Sequence, residues 1–259
     1  MTVVLVETAG NVCRITINRP ERRNALNTAV VAGLIDGLRA AQAGDGVRAI
    51  VITGAGDRAF CAGGDLSPTA DGAPMTVDPA HPHHVVVDLF KAMAACELPI
   101  VARVNGHALA GGLGLLCACD LAVAADHATF GTPEVKIGLF PMMILPQMLR
   151  VLPLRRLLEL CMTGEAIPAT EAKAIGLVNE VVPTADLDAA TDALLERLLR
   201  AAPTALRLGK QAFHAMRDMS LREGWDYAQL MLPMMSRTED AREGLRAFQE
   251  KRPPVWTGR

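Results

Sequence analysis

Two runs that alternate apolar and polar residues open the chain, Val3–Thr8 and Val12–Asn18, separated by Ala9-Gly10-Asn11. Period-two patterning on both sides of a short Gly-containing turn predicts a β-hairpin, which Arg19-Pro20 ends. The period then changes. From Thr28 to about Ala43, Val31, Leu34, Ile35 and Leu38 recur at helical spacing behind Asn27 or Thr28 as the cap. Ala49–Thr53 reads as a short apolar strand closed by Gly54-Ala55-Gly56-Asp57. After Cys61–Asp65, the residues from Ser67 to Pro82 are rich in Pro, Asp, Gly and Thr, the composition of a long loop of the kind that serves as a lid. Next come a helix from about His83 to Cys96, the strand Ile100–Val104, a Gly-rich turn, an apolar helix from about Gly111 to Cys119 and the strand Leu121–Ala125. Phe140–Leu152 and Leu154–Met162 pattern as helices joined at Pro153, and Leu177–Val182 as a strand. Beyond Asp186 the pattern is helical almost throughout, with breaks near Pro203, Ser220 and Arg237. Short strands alternating with helices over about 180 residues predict a layered α/β core, and the closing run of helices predicts an appended assembly module.

Composition narrows the partners. Lys and Arg number 26 against 28 Asp and Glu, for a net charge of −2 without any block of one sign. That balance lacks the counterion-release drive towards nucleic acid, and six Phe, two Trp and one Tyr leave few stacking platforms. The mean hydropathy of +0.24 is high. Yet the uncharged stretch Gly106–Cys119 is broken by glycines and is shorter than the ~20 residues of a membrane span, so the apolar excess is expected at subunit interfaces. Cys13, Cys61, Cys96, Cys117, Cys119 and Cys161 form no CxxC pair, and no His stands at ligand spacing from them. They read as small buried hydrophobes, with no metal site and no export signal, and the expected location is the cytoplasm.

Three segments hold chemistry that composition does not require. Ala59–Leu66 (AFCAGGDL) is a strand end running into a Gly-Gly turn, where the backbone can approach a ligand with its N–H groups free; an ordinary tight turn has the same letters. Asn105–Gly114 (NGHALAGGLG) has a Gly pair opening an apolar helix, whose unpaired N–H groups and positive dipole end suit a developing oxyanion. Close helix–strand packing explains that pair as well. Phe130–Pro141 contains Pro133-Glu134, a carboxylate at a helix start, which is either a solvated acid or a general base.

Taken in order, these segments resemble the crotonase (enoyl-CoA hydratase/isomerase) superfamily. The resemblance extends to Asn24-Ala25-Leu26-Asn27, Cys119-Asp120-Leu121, Leu160–Gly164, Glu171-Ala172, Gly176-Leu177-Val178 and Glu250-Lys251-Arg252, and so covers nearly the whole chain. It implies a spiral of ββα units over residues 1–195, and over 196–259 a helical region that assembles a homotrimer, often as a dimer of trimers. The implied substrate is an acyl-CoA, with coenzyme A as part of the substrate and no separate cofactor. The backbone N–H groups of Gly64 and Gly111 would hold the thioester carbonyl. Ala25, Leu26, Ala62, Asp65 and Leu66 would lie along the pantetheine and adenine. Arg22, and Lys251 from a neighbouring subunit, would lie near the phosphates.

At one position the chain departs from the pattern. Hydratases of the superfamily use two glutamates, and here the Pro-Glu carboxylate is Glu134 but the other position is Gly114. Water addition to a 2-enoyl thioester needs a water oriented and deprotonated while a proton reaches C2. Losing one general acid or base from such a pair costs about 10²–10⁴-fold. Double-bond isomerisation needs a single base, so a lone Glu134 in an apolar pocket favours it. Asp71, Asp78, His81, His83 and His84, in or beside the long loop, are candidate substitutes for the missing acid, and Cys61 is a candidate nucleophile without an evident activator. Asp120 is expected to brace the strand that follows the Gly-rich helix, and Trp225 and Trp256 to be structural. Thioester hydrolysis or C–C cleavage in the same oxyanion site, and a non-catalytic acyl-CoA-binding subunit, remain alternatives.

Overall fold

The computed structural model describes residues 2–67, 80 and 82–259. The hairpin forms from β1 (Val4–Ala9) and β2 (Val12–Ile17), and α1 (Thr28–Ala43) comes after it, with the Asn27 side chain accepting from Val30 N at 2.9 Å. Next come three turns of one plan. β3 (Ala49–Gly54) and β4 (Ala59–Cys61) precede α2 (Val85–Ala95); β5 (Ile100–Val104) and β6 (His107–Leu109) precede α3 (Gly111–Cys117); β7 (Leu121–Ala125) and β8 (Thr129–Gly131) precede α4 (Leu145–Met148) and α5 (Leu154–Thr163). β9 (Ala166–Pro168), α6 (Ala169–Ala174) and β10 (Glu180–Val182) close the spiral, and α7 (Leu187–Arg200), α8 (Pro203–Met216), α9 (Leu221–Ser236) and α10 (Glu239–Glu250) complete the chain.

In each turn the first strand joins a six-stranded sheet of order β1-β2-β3-β5-β7-β10, and the second joins a four-stranded sheet of order β4-β6-β8-β9. All pairings are parallel except β1 with β2 and β8 with β9. The spiral of ββα units is therefore present. Strands β3, β5 and β7 read as continuous apolar runs because both of their faces are covered. Ile50, Ile52, Ile100, Ala102, Val104, Ala122 and Ala124 enter the larger core with α1, α2 and α3. Ala49, Val51, Val101, Val123 and Ala125 face Leu187, Leu194 and Leu195 of α7 on the other side.

Several elements differ from the sequence pattern, each for a local reason. The helix expected over 140–152 is reduced to α4, with Pro146 in its first turn, where the missing N–H has no helical acceptor to reach. The strand expected over 177–182 is confined to β10. Leu177 N is tied instead to Ala172 O, and Asn179 Oδ1 accepts from Ala122 N at 2.8 Å. Strands β4, β6, β8 and β9, three residues each, are too short for periodicity to register. Asp120 braces the start of β5, the neighbour of the expected strand: its Oδ2 accepts from Ile100 N and meets Lys210 Nζ of α8, both at 2.7 Å. The helix breaks expected near Pro203, Ser220 and Arg237 are present. Pro203 opens α8, and Ser220 makes a reciprocal capping box with Glu223 at the start of α9. α7 runs across position 195 to Arg200. Among the described residues no helix is long and apolar enough to cross a membrane.

Candidate active site

Parallel pairing of β4, β6 and β8 brings the ends of three separate chain segments to one edge of the small sheet. Adjacent strands lie about 4.8 Å apart, so the residues just past each strand become neighbours in space. These are Gly63-Gly64 after β4, Gly111-Gly112 after β6 and Pro133-Glu134 after β8.

The two glycine segments touch. Gly64 N lies 3.5 Å from where a Cβ on Gly111 would stand, and Gly111 N lies 3.2 Å from where one on Gly63 would stand. Gly63 adopts φ +102°, and a Cβ there would come 2.6 Å from Ala110 Cβ, so only glycine fits. A Cβ on Gly112 would approach the Cys61 carbonyl carbon to 2.7 Å and its oxygen more closely still. Ala110 carries the strain of this approach at φ 50°, ψ −126°. It is held there by its N–H donating to Gly131 O at 2.9 Å and its carbonyl accepting from Leu113 N at 2.9 Å and Gly114 N at 3.2 Å. Among the described residues no backbone carbonyl accepts from Gly64 N–H or Gly111 N–H. Two uncommitted donors thus stand side by side, one of them at the positive end of α3.

The strand-like segment 24–26 supports the first glycine turn. Ala62 N donates to Arg23 O, Leu26 N to Gly63 O and Asp65 N to Leu26 O, at 2.7 to 3.0 Å. Asn24, fully buried at φ 58°, locks it by accepting from Arg19 N and donating to Ala55 O and Ala59 O. Ala25 and Leu26 are buried beside the half-buried Ala62, and Leu66 is exposed. Asp65 accepts from Ser67 N at 3.0 Å and pairs with Arg19 at 2.7 Å, and these bonds hold its carboxyl at about 2. The exposed Arg22 reaches Ser67 Oγ at 3.5 Å. Lys251 caps α10 at φ 54° on the surface of the helical region, which packs on α8 and α9.

Glu134 sits in a single 3-10 turn, Pro133–Ile137, opened by the proline and closed by Gly138. Burial pushes its carboxyl above the ordinary value, and its own backbone N–H offsets this only in part. Among the described residues, Glu134 Oε2 and Thr132 Oγ1 are buried without a hydrogen-bond partner. The thiol of Cys161 adjoins both, and burial raises it. An unsatisfied buried carboxylate oxygen is costly. The surroundings of position 114 are the reverse. A Cβ on Gly114 would come 2.5 Å from Ile144 Cβ, closer to Ile144 Cγ2, and 3.3 Å from Phe90 Cζ. Hydrocarbon occupies that space.

The other candidates take structural roles or lie elsewhere. Burial pushes the Cys61 thiol up to about 12, which removes it as a nucleophile at neutral pH. His83 Nε2 is 2.7 Å from Asp88 Oδ2, and His84 Nδ1 accepts from Val86 N as the cap of α2. Asp71, Asp78 and His81 lie outside the described residues. Trp256 donates to Arg200 O, and Trp225 is exposed on α9. Among the described residues no group of three or more His, Cys, Asp or Glu could hold a metal ion. Sequence reading included Asn24 and Ala110 only as letters of their motifs, with no role of their own, and did not mark Arg19, Phe90 or Ile144. A buried Asn and a strained Ala leave no periodic signal, and Ile144 acts from a segment distant in sequence.

Comparison with known proteins agrees with this arrangement. The family model described as Enoyl-CoA hydratase/isomerase matches residues 7–259. The chain is 34% identical to the (E)-benzylidenesuccinyl-CoA hydratase of Thauera aromatica, over 98% of this chain and 99% of that protein. It is also 34% identical to the 2,3-dehydroadipyl-CoA hydratase of Escherichia coli, over the whole of both. The crystal structure of an enoyl-CoA hydratase from Mycobacterium tuberculosis superposes with a TM-score of 0.89 at 35% identity, covering both chains completely. With the ββα spiral and the three converging segments, these matches identify the chain as a member of the enoyl-CoA hydratase/isomerase family, the crotonase superfamily of acyl-CoA enzymes.

Proposed function

We propose that the chain binds an enoyl-CoA thioester with its carbonyl oxygen between the N–H groups of Gly64 and Gly111, and shifts the double bond with Glu134 as the single acid/base. Glu134 removes a proton from C2 of a 3-enoyl thioester. The electron pair moves into the dienolate, whose oxygen gains charge against the two N–H donors, and Glu134 returns the proton at C4 to leave the conjugated 2-enoyl product. Preorganised donors of this kind contribute on the order of 3 kcal/mol each to the transition state. A raised carboxyl pKa brings the base closer to the acidity it must match. The observation that carries the choice of isomerisation is the hydrocarbon at position 114: Ile144 and Phe90 stand where the Cβ of a second acidic side chain would have to go.

Water addition is the second reading, supported by the hydratase names of the relatives, with the second acid supplied from elsewhere. Mass spectrometry of products from 3-enoyl- and trans-2-enoyl-CoA panels separates the two. The expected result is conversion of the 3-enoyl substrate without change of mass, abolished in Glu134→Gln while thioester binding persists. Gain of one water that depends on Glu134 would replace isomerisation by hydration. Full turnover in Glu134→Gln would overturn both. In this reading the exposed Phe213, Trp225, Leu230 and Phe248 of α8–α10 form the contact surface of a trimer, in which Lys251 and Arg22 approach the phosphates of bound CoA.

A further inference from the structure

The described residues also enclose a cleft of about 510 Å³ lined by Arg23, Asp57, Arg58, His107, His127 and Thr184. It belongs to the opposite end of the small sheet. His107 opens β6, whereas Gly111 lies past its other end, beyond Leu109 and the strained Ala110. The rim is built from the corners where the chain passes between sheets: Asp57-Arg58 before β4, His127 between β7 and β8, and Thr184 after β10.

Part of the lining is committed to the fold and part is free. His127 Nε2 is 2.9 Å from Asp57 O; a carbonyl only accepts, so this nitrogen carries its proton. Its Nδ1 meets Thr184 Oγ1 at 2.8 Å, with Asp126 Oδ1 behind at 3.9 Å. His107 Nδ1 is 2.8 Å from Thr129 Oγ1, and its Nε2 has no hydrogen-bond partner among the described residues. Arg23 and Arg58 make neither an ion pair nor a side-chain hydrogen bond among the described residues, and Asp57 pairs with neither of them. Burial, then the charges of His127, Arg23 and Arg58, hold His107 below its ordinary value, so both guanidinium groups act on this ring, and the Asp57 carboxylate lines the same cleft without pairing with either of them. Arg23 is set in place by the left-handed turn that the buried Asn24 locks: Arg22 extends towards Ser67, and its neighbour Arg23 lines the cleft.

We propose that this cleft binds a small phosphate- or diphosphate-type anion at a site separate from the acyl-CoA site. Two uncommitted guanidinium forks match phosphate oxygens in pairs, and His107 Nε2 adds a third donor once it carries a proton. No Phe, Tyr or Trp lines the cleft among the described residues, and the His107 and His127 rings are each tied by a hydrogen bond, so recognition rests on the anionic group. Such a group comes either from a free phosphoanion or from the phosphates of coenzyme A itself, and competition tells them apart.

The test is calorimetric titration of the full chain with orthophosphate and with pyrophosphate at fixed ionic strength, in the absence and presence of saturating coenzyme A. One site per chain is expected, weakened at least tenfold in Arg58→Gln with enoyl-CoA turnover unchanged, and lost in Arg23→Gln/Arg58→Gln, with coenzyme A leaving the titration unaffected. Absence of binding by the unmodified chain, or equal binding by the double variant, would overturn the site. Displacement by coenzyme A would assign the cleft to the substrate's own phosphates and overturn its independence.

Discussion

Replacing Gly114 by alanine adds one carbon at the middle of α3, and the structure sets what that carbon meets. Non-bonded carbons sit about 3.5–4.0 Å apart at their optimum, whereas the new Cβ would stand 2.5 Å from Ile144 Cβ and nearer still to its Cγ2. Neither atom is the mobile end of a side chain. Ile144 is β-branched and 3% exposed, so it cannot rotate out of the way. Overpacking of this kind costs about 1–3 kcal/mol. The gain in helix propensity on replacing glycine returns about 1 kcal/mol. The net expectation for Gly114→Ala is a loss of up to about 2 kcal/mol. Ile144→Ala alone opens a cavity and costs about 2–5 kcal/mol, but the double variant places the new methyl in that cavity, so the two changes should couple favourably by about 1–3 kcal/mol. Urea denaturation of the four proteins at one concentration measures the cycle. The functional counterpart is Gly114→Glu with and without Ile144→Ala. Only the double variant has room for a carboxylate opposite Glu134 and should gain addition of water to a 2-enoyl-CoA. A Gly114→Ala protein more stable than the parent, strict additivity in the cycle, or hydration by Gly114→Glu with Ile144 intact would contradict the packing described at this position.

Three further outcomes are expected from the same geometry. Turnover should fall as pH drops through a value above the 4.5 of an ordinary glutamate, because Glu134 must be ionised to act as a base and burial raises its pKa; an acid limb at or below 4.5 in the pH–rate profile would contradict its buried setting. Asp65, held at about 2 by its hydrogen bonds to Ser67 and Arg19, binds its proton less readily folded than unfolded. Its stabilisation is therefore present above the ordinary value and is lost as pH falls towards 2. Asp65→Asn should cost on the order of 1 kcal/mol at pH 7 after allowance for solvent screening and flatten the acid limb of the stability curve measured by denaturation. Cys61, raised to about 12 by burial, should resist alkylation by iodoacetamide at pH 8 in the native protein and react after unfolding, as read by site-resolved mass spectrometry; rapid native labelling would show the thiol to be reachable.

Local sequence carried much of this structure. The hairpin, α1 with its Asn27 cap, the apolar β3, β5 and β7, and the breaks between the C-terminal helices come from periodicity, proline and capping residues, all of which act within a few positions of themselves. The ordered glycine and Pro-Glu segments, which the fold brings together, stood out by resemblance, since each segment alone also fits a turn or a packing contact. Tertiary structure decided the rest. Three-residue strands are stable only as members of a sheet, so the second sheet that gathers Gly64, Gly111 and Glu134 has no period of its own to read. The helix pattern over 140–152 is confined to α4, and its N-cap residue Ile144 meets α3 at Gly114. The sequence alone showed that position 114 lacks a carboxylate. Only the folded chain shows that the space is already filled, because van der Waals exclusion between residues thirty positions apart depends on where the backbone brings them.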